Sequence, residues 1–128
     1  MLDRARIAAV VPVSDVDRAI AFYRDVLGLT LRERRDDLPD NPEAEFEAGG
    51  GRLVAYRSVG AGQSRATVAA FEVDDLDAAA AALRERGVTF EEYDLPGLKT
   101  EGGIATLGAA RAAWLKDPDG NILAVEAR

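Results

Sequence analysis

The chain contains no cysteine and no histidine. The first absence excludes disulfides and thiolate metal sites. The second removes the side chain that most often serves as general base or metal ligand near neutral pH. Without histidine, neither Ser14 nor Ser64 has the partner that a serine triad needs. No apolar run is long enough to span a bilayer, and residues 1–7 lack the apolar core of a signal peptide. A cytoplasmic protein with no membrane partner is therefore expected. Basic residues are also scarce: Lys and Arg number 16 against 23 Asp and Glu, a net charge of -7. Such a chain repels phosphate backbones, so no nucleic-acid partner is expected. The acidity serves solubility or favours cationic ligands, and net charge alone locates no site.

What is present is a globular composition, 48% hydrophobic, in 128 residues. That is enough for one core, and the expectation is a single domain over residues 1–128. Its organisation is that of a repeat. Residues 7–13 form a short apolar run of strand length. Ser14 offers a helix N-cap, and Val16, Ala19, Ile20, Tyr23 and Leu27 follow at helical spacing. Gly28 stands where a left-handed stop is wanted, and residues 29–34 alternate as a strand does. The pattern restarts at residue 66. Residues 66–73 are strand-like, Asp74 or Asp75 can cap, and Leu76, Ala79, Ala80 and Leu83 form a stripe. Gly87 can end that helix, and residues 88–91 resume as a strand. Val13, Asp15, Asp17, Ala19 and Arg24 recur as Val73, Asp75, Asp77, Ala79 and Arg84. Self-similarity of this kind indicates a duplicated unit.

Each half closes with further strands. Residues 45–48 and 52–59 flank Gly49-Gly50-Gly51, a tight hairpin, and residues 110–115 and 121–126 flank the turn Asp117-Pro118-Asp119-Gly120. Loops are expected over residues 36–44 and 94–103. The long helices are expected over residues 14–27 and 75–86 only. The order is strand, helix, three strands, repeated once.

Residues 13–29, Val-Ser-Asp-Val-Asp-Arg-Ala-Ile-Ala-Phe-Tyr-Arg-Asp-Val-Leu-Gly-Leu, resemble the opening signature of the vicinal oxygen chelate superfamily, which includes glyoxalases, bleomycin resistance proteins and dioxygenases. Val73-Asp74-Asp75-Leu76-Asp77 is similar to the start of that superfamily's second module. Asp117-Pro118-Asp119-Gly120-Asn121 resembles the turn before its last strand. The resemblance implies an α+β fold of two βαβββ modules, residues 5–60 and 66–128, forming an open, barrel-like cleft. It also implies a homodimer. Fold membership alone does not choose a function.

Catalytic members of the superfamily usually hold one divalent metal. The resemblance carries its ligand positions onto Ala8, Val68 and Ala124, and onto Ala55 or its neighbours Val54 and Tyr56. The Ala and Val side chains at these positions offer no donor to a metal, so neither a metal nor another cofactor is expected. No residue is assigned a catalytic role. Glu126 falls two residues beyond Ala124, on the same strand face, as a carboxylate that either enters the cleft or is solvated. Glu72 is a similar case. Tyr56 and Trp114 lie on strands that resemble the cleft-lining ones, where their rings either stack on a ligand or pack in a core. Tyr93 and Lys99 belong to a segment able to close over the cleft. Arg32, Arg34 and Arg35 are read as a solvated strand end.

The candidate ligand-binding residues are thus Tyr56, Trp114 and Glu126. The function expected is metal-free binding of a small molecule, an antibiotic or a metabolite. The alternatives are a glyoxalase-like or dioxygenase-type enzyme with a relocated metal or metal-free acid/base chemistry, and a dimeric interaction module without a ligand.

Overall fold

A computed structural model of the chain describes residues 1–37 and 40–128. Leu38 and Pro39, inside the loop expected over residues 36–44, lie outside the described residues. The chain forms two compact units, Met1–Gly62 and Gln63–Arg128. Both are mixed α+β structures built on one sheet each.

In the first unit, β1 (Ala9–Val13) leads to α1 (Val16–Ile20), whose path continues through a π-helical stretch, Ala21–Val26. β2 (Thr30–Arg35), β3 (Glu43–Ala48) and β4 (Gly51–Arg57) follow. The sheet order is β1-β4-β3-β2, with β1 parallel to β4 and the other pairs antiparallel. Alternation settles which face is buried. Val11, Val13, Ala44, Phe46, Leu53 and Ala55 are all buried and occupy paired register positions. Tyr23 of the helical segment sets its ring 5.7 Å from that of Phe46. This face is therefore the helix-covered one. Burying a ring of this kind contributes about 1.5–3 kcal/mol.

The helix begins at Asp15, not at Ser14. The Asp15 carboxylate accepts the Arg18 backbone N–H at 3.1 Å, the N-cap geometry, while Ser14 accepts from the Arg18 guanidinium. The far end widens: the Leu27 N–H reaches the Phe22 carbonyl, a five-residue step. Gly28, at φ 78°, then turns the chain into β2. A bulge at Arg32 interrupts the β2–β3 register between Leu31 and Glu33. Arg34 points to the helix side and pairs with Asp17, whereas Arg35 turns the other way.

The second unit contains β5 (Thr67–Glu72), α2 (Leu76–Glu85), the short strands β6 (Asp94–Leu95), β7 (Leu98–Glu101) and β8 (Ile104–Leu107), then β9 (Ala110–Lys116) and β10 (Ile122–Ala127). The order is β5-β10-β9-β8-β7-β6, with only β5 and β10 parallel. Two expectations are corrected here. Residues 88–91 form no strand, and the expected loop over residues 94–103 holds β6 and β7. The reason is competition for one partner. β8 pairs with Ala110–Ala113 of β9, which leaves residues 88–91 a single ladder-like bond, Glu91 N–H to the Trp114 carbonyl.

Asp75 caps α2 by accepting the Ala78 N–H at 3.0 Å. Leu76 and Ala80 bury the helix on the face that holds Ala113, Leu115, Leu123 and Val125. Arg111, on that same face, makes two hydrogen bonds of 2.9 and 3.0 Å to Asp77. Asp117 fixes the last turn by accepting from the backbone of Asp119 and Asn121 and from the buried Asn121 amide. Among the described residues, no helix is long and apolar enough to cross a membrane.

The Arg111 hydrogen bonds, and then its charge, hold the Asp77 carboxyl below the ordinary value of 3.8. A depressed folded-state pKa gives stability that is complete above the unfolded value and is lost as pH falls through the folded one. Asp77→Asn should therefore lower the thermal midpoint at neutral pH. It should also flatten the decline of that midpoint between about pH 5 and pH 2. A variant that keeps the full acid decline would assign that decline to other carboxylates.

Candidate functional site

Because one helix covers one face of each sheet, the other face is free of helix. In the first unit that face carries Val10, Pro12, Val54 and Tyr56 on the β1–β4 side. Glu43, Glu45 and Glu47 line up along β3 at every second position. Arg35 binds Glu43, and also Glu33 at 2.7 Å and Glu45 at 3.4 Å; Arg52 reaches Glu45 at 3.3 Å. Arg32 pairs with Glu47 at 3.2 Å. The Arg35 guanidinium is held charged, chiefly by its hydrogen bond to Glu43. Of the arginines expected at a solvated strand end, Arg32 and Arg35 are thus parts of an ion-pair lattice, while Arg34 pairs with Asp17 and Asp36. Its signal was legible as the Glu-x-Glu-x-Glu alternation. Among the described residues, the Arg52 Nε–H is the buried side-chain donor left without an acceptor.

Tyr56 is half-buried on this face, opposite Pro12 and Glu43. Ala55 is not on it. Ala55 is fully buried toward α1, so of the three alternatives only Val54 and Tyr56 share the face with Val10. The one-residue error comes from counting along β4 as along β10. Gly51 is already the first residue of β4, whereas Gly120 lies in a turn two residues before β10.

In the second unit the helix-free face holds Trp114 opposite Ala124, and Ala112 opposite Glu126. Trp114 and Glu126 are thus diagonal neighbours on one face, within reach of a single small molecule. The structure brings these two together, while Tyr56 belongs to the other unit. Glu126 stands in register with Glu72 of β5, and no hydrogen bond or ion pair is found for its carboxylate among the described residues. Ala105, Ala112 and Ala124 contribute only methyl groups and are buried.

Tyr93 packs against this face. Its ring meets Trp114 edge to face, with centroids 5.6 Å apart and planes at 80°. It is held by Thr100, whose hydroxyl accepts the Tyr93 N–H at 2.8 Å and donates to Glu92 at 2.6 Å. The Thr100 N–H in turn donates to the Tyr93 carbonyl. Sequence patterning missed Thr100 and Glu92, since nothing in their spacing marks them. Lys99, expected beside Tyr93 in a closing segment, is exposed on β7.

The residues at the inherited ligand positions do not fit a metal. Ala8, Val68 and Ala124 carry no donor atom, and among the described residues no group of three or more His, Cys, Asp or Glu could hold one.

Comparison with known families gives a match over residues 5–125 to the Glyoxalase/Bleomycin resistance protein/Dioxygenase superfamily. The chain belongs to that superfamily. Solved structures of similar fold include TnmS3, an antibiotic binding protein from Streptomyces sp. CB03234, at 24% identity and a TM-score of 0.69, covering 97% of each chain. A glyoxalase/bleomycin resistance protein from the same organism is 27% identical, with a TM-score of 0.65 over 91% of this chain and 94% of the other. A glyoxalase family protein from Enterococcus faecalis is 18% identical, with a TM-score of 0.72 over 98% and 99%. Comparison with curated protein sequences gives no match. Superfamily membership accounts for the repeated strand–helix pattern. It leaves the chemistry of the helix-free faces to be argued from this chain's own residues.

Proposed function

We propose that this superfamily member binds a small, flat, largely apolar molecule without a metal and without transforming it. The observation that carries this reading is the Trp114–Tyr93 pair on a helix-free sheet face, bordered by the methyl groups of Ala112 and Ala124. Rigid aromatic side chains offer stacking area at little ordering cost. Glu126, on the same face, supplies an acceptor for a donor or a cation on the ligand. Tyr56 plays the corresponding part in the first unit. TnmS3, an antibiotic binding protein of the same fold, supports a ligand of the antibiotic or metabolite class. The protein acts in the cytoplasm, as one domain over residues 1–128 and as a homodimer. Open sheet edges favour such pairing: β1 is an outer strand, and Val10 on it is 54% exposed.

Trp114 is the chain's one tryptophan, so its emission reports on this face alone. In a screen of planar aromatic compounds, a true ligand should change that emission, and Trp114→Ala should weaken its binding by about 1–3 kcal/mol. Full affinity in the alanine variant, with unchanged wild-type emission at saturation, would return Trp114 to a packing role.

Elemental analysis of protein purified without chelator should give far less than one equivalent of Zn, Ni, Mn or Fe per chain. A stoichiometric metal that survives dialysis would favour the enzymatic alternative, with its metal relocated. Light scattering at micromolar concentration should return twice the mass of one chain; the monomer mass would refute the dimer.

A further inference from the structure

Arg84 occupies the last turn of α2. It reaches across to the hairpin that joins β7 and β8, where Nη2 donates to the Gly102 carbonyl at 2.6 Å. Its guanidinium carbon lies 5.1 Å from the centroid of the Phe90 ring, within the range of a cation–π contact. Phe90 itself is buried. The next residue of the hairpin, Gly103, has φ +81°, and a Cβ built there would come within 2.8 Å of the Phe90 Cβ and 3.5 Å of Arg84 Nη2. Helix end, aromatic ring and hairpin turn therefore meet in one closed contact, with no room for a side chain at Gly103.

What this contact holds is the segment that leads to Tyr93. Residues 88–93 lack a strand ladder. Between Phe90 and Tyr93 the segment is tied to β9 by the Glu91 N–H to the Trp114 carbonyl at 2.8 Å and by the exposed Lys116–Glu91 pair at 3.2 Å. An exposed pair of that kind fixes little. At the far end, Thr100 holds Tyr93. The position of the Tyr93 ring thus depends on three anchors: Phe90, the Glu91–Trp114 backbone bond and Thr100.

We infer that Arg84 is a positioning residue for the Tyr93–Trp114 pair. By clamping Phe90 against the Gly102–Gly103 turn, it sets the segment that places the Tyr93 ring against the indole. The functional consequence rests on the reading that the Trp114 face takes the ligand: Arg84 fixes how much of the indole that ligand meets, without touching it.

Quenching of Trp114 emission by acrylamide tests the inference without any ligand. Arg84→Met keeps the apolar stem and loses the charge and donors. Its quenching constant should rise about twofold as the segment loosens, with the far-UV spectrum retained. Arg84→Ala should do the same, and Arg84→Lys, which keeps a cation over the ring, should stay close to the wild type. Tyr93→Leu uncovers the indole directly. If Arg84 acts through Tyr93, Arg84→Met adds nothing to the quenching of Tyr93→Leu. Wild-type quenching in Arg84→Met, or an effect that adds to that of Tyr93→Leu, would overturn the inference. So would an Arg84→Met chain that fails to fold, since a residue on which the whole fold depends does more than position one segment. A chain that binds nothing in the aromatic screen would remove the ligand reading and leave the quenching result standing.

Discussion

Each sheet in this protein has one helix to cover it, and almost everything else follows from that constraint. A strand presents alternate side chains to opposite faces, so a single covering helix divides every strand into a committed half and an uncommitted half. In the first unit the committed half is Val11, Val13, Phe46, Leu53 and Ala55, closed by Tyr23. In the second it is Ala113, Leu115, Leu123 and Val125, closed by Leu76 and Ala80. One residue of slip would carry each set to the wrong side, so the register is strongly specified. The alternate positions, Tyr56, Trp114 and Glu126 among them, are thereby placed on faces that no helix of their own unit covers.

The duplication is physical as well as textual. Asp15 and Asp75 cap their helices in the same way, each accepting the backbone N–H three residues on. Asp17 and Asp77, two residues later, each reach an arginine on the helix-covered side of the sheet, Arg34 in β2 and Arg111 in β9. A carboxylate in the first turn favours the helix dipole, and the arginine ties that turn to a strand. The recurrence of Asp17 as Asp77 was readable in the sequence; the arginines were not, because they come from different strands of the two sheets.

Other features show where sequence reading stops. Caps, stripes and stop glycines are local, and both helices and the Gly28 and Gly87 turns were legible for that reason. Whether residues 88–91 become a strand is decided elsewhere, by β8 occupying the edge of β9. The face taken by Ala55 hinged on how many turn residues precede β4, a count that differs between the two halves. For the candidate site, residue types and strands were legible, but the meeting of Tyr93 with Trp114 was not. It depends on Thr100, seven residues further along, and on a hairpin that periodicity does not reveal.

The two units agree where the helix lies and differ where it does not. On the helix-free side the first unit carries a lattice of arginine and glutamate beside Tyr56, whereas the second carries alanines beside Trp114 and Tyr93. Packing against the helices cannot explain that divergence, because the helices cover the other face of each sheet. The part-buried lattice costs desolvation as well as side-chain entropy, and the half-buried aromatic pair leaves part of its apolar area in contact with water. Those faces are where the two halves of the chain have diverged, and the proposed ligand reading rests on the aromatic one.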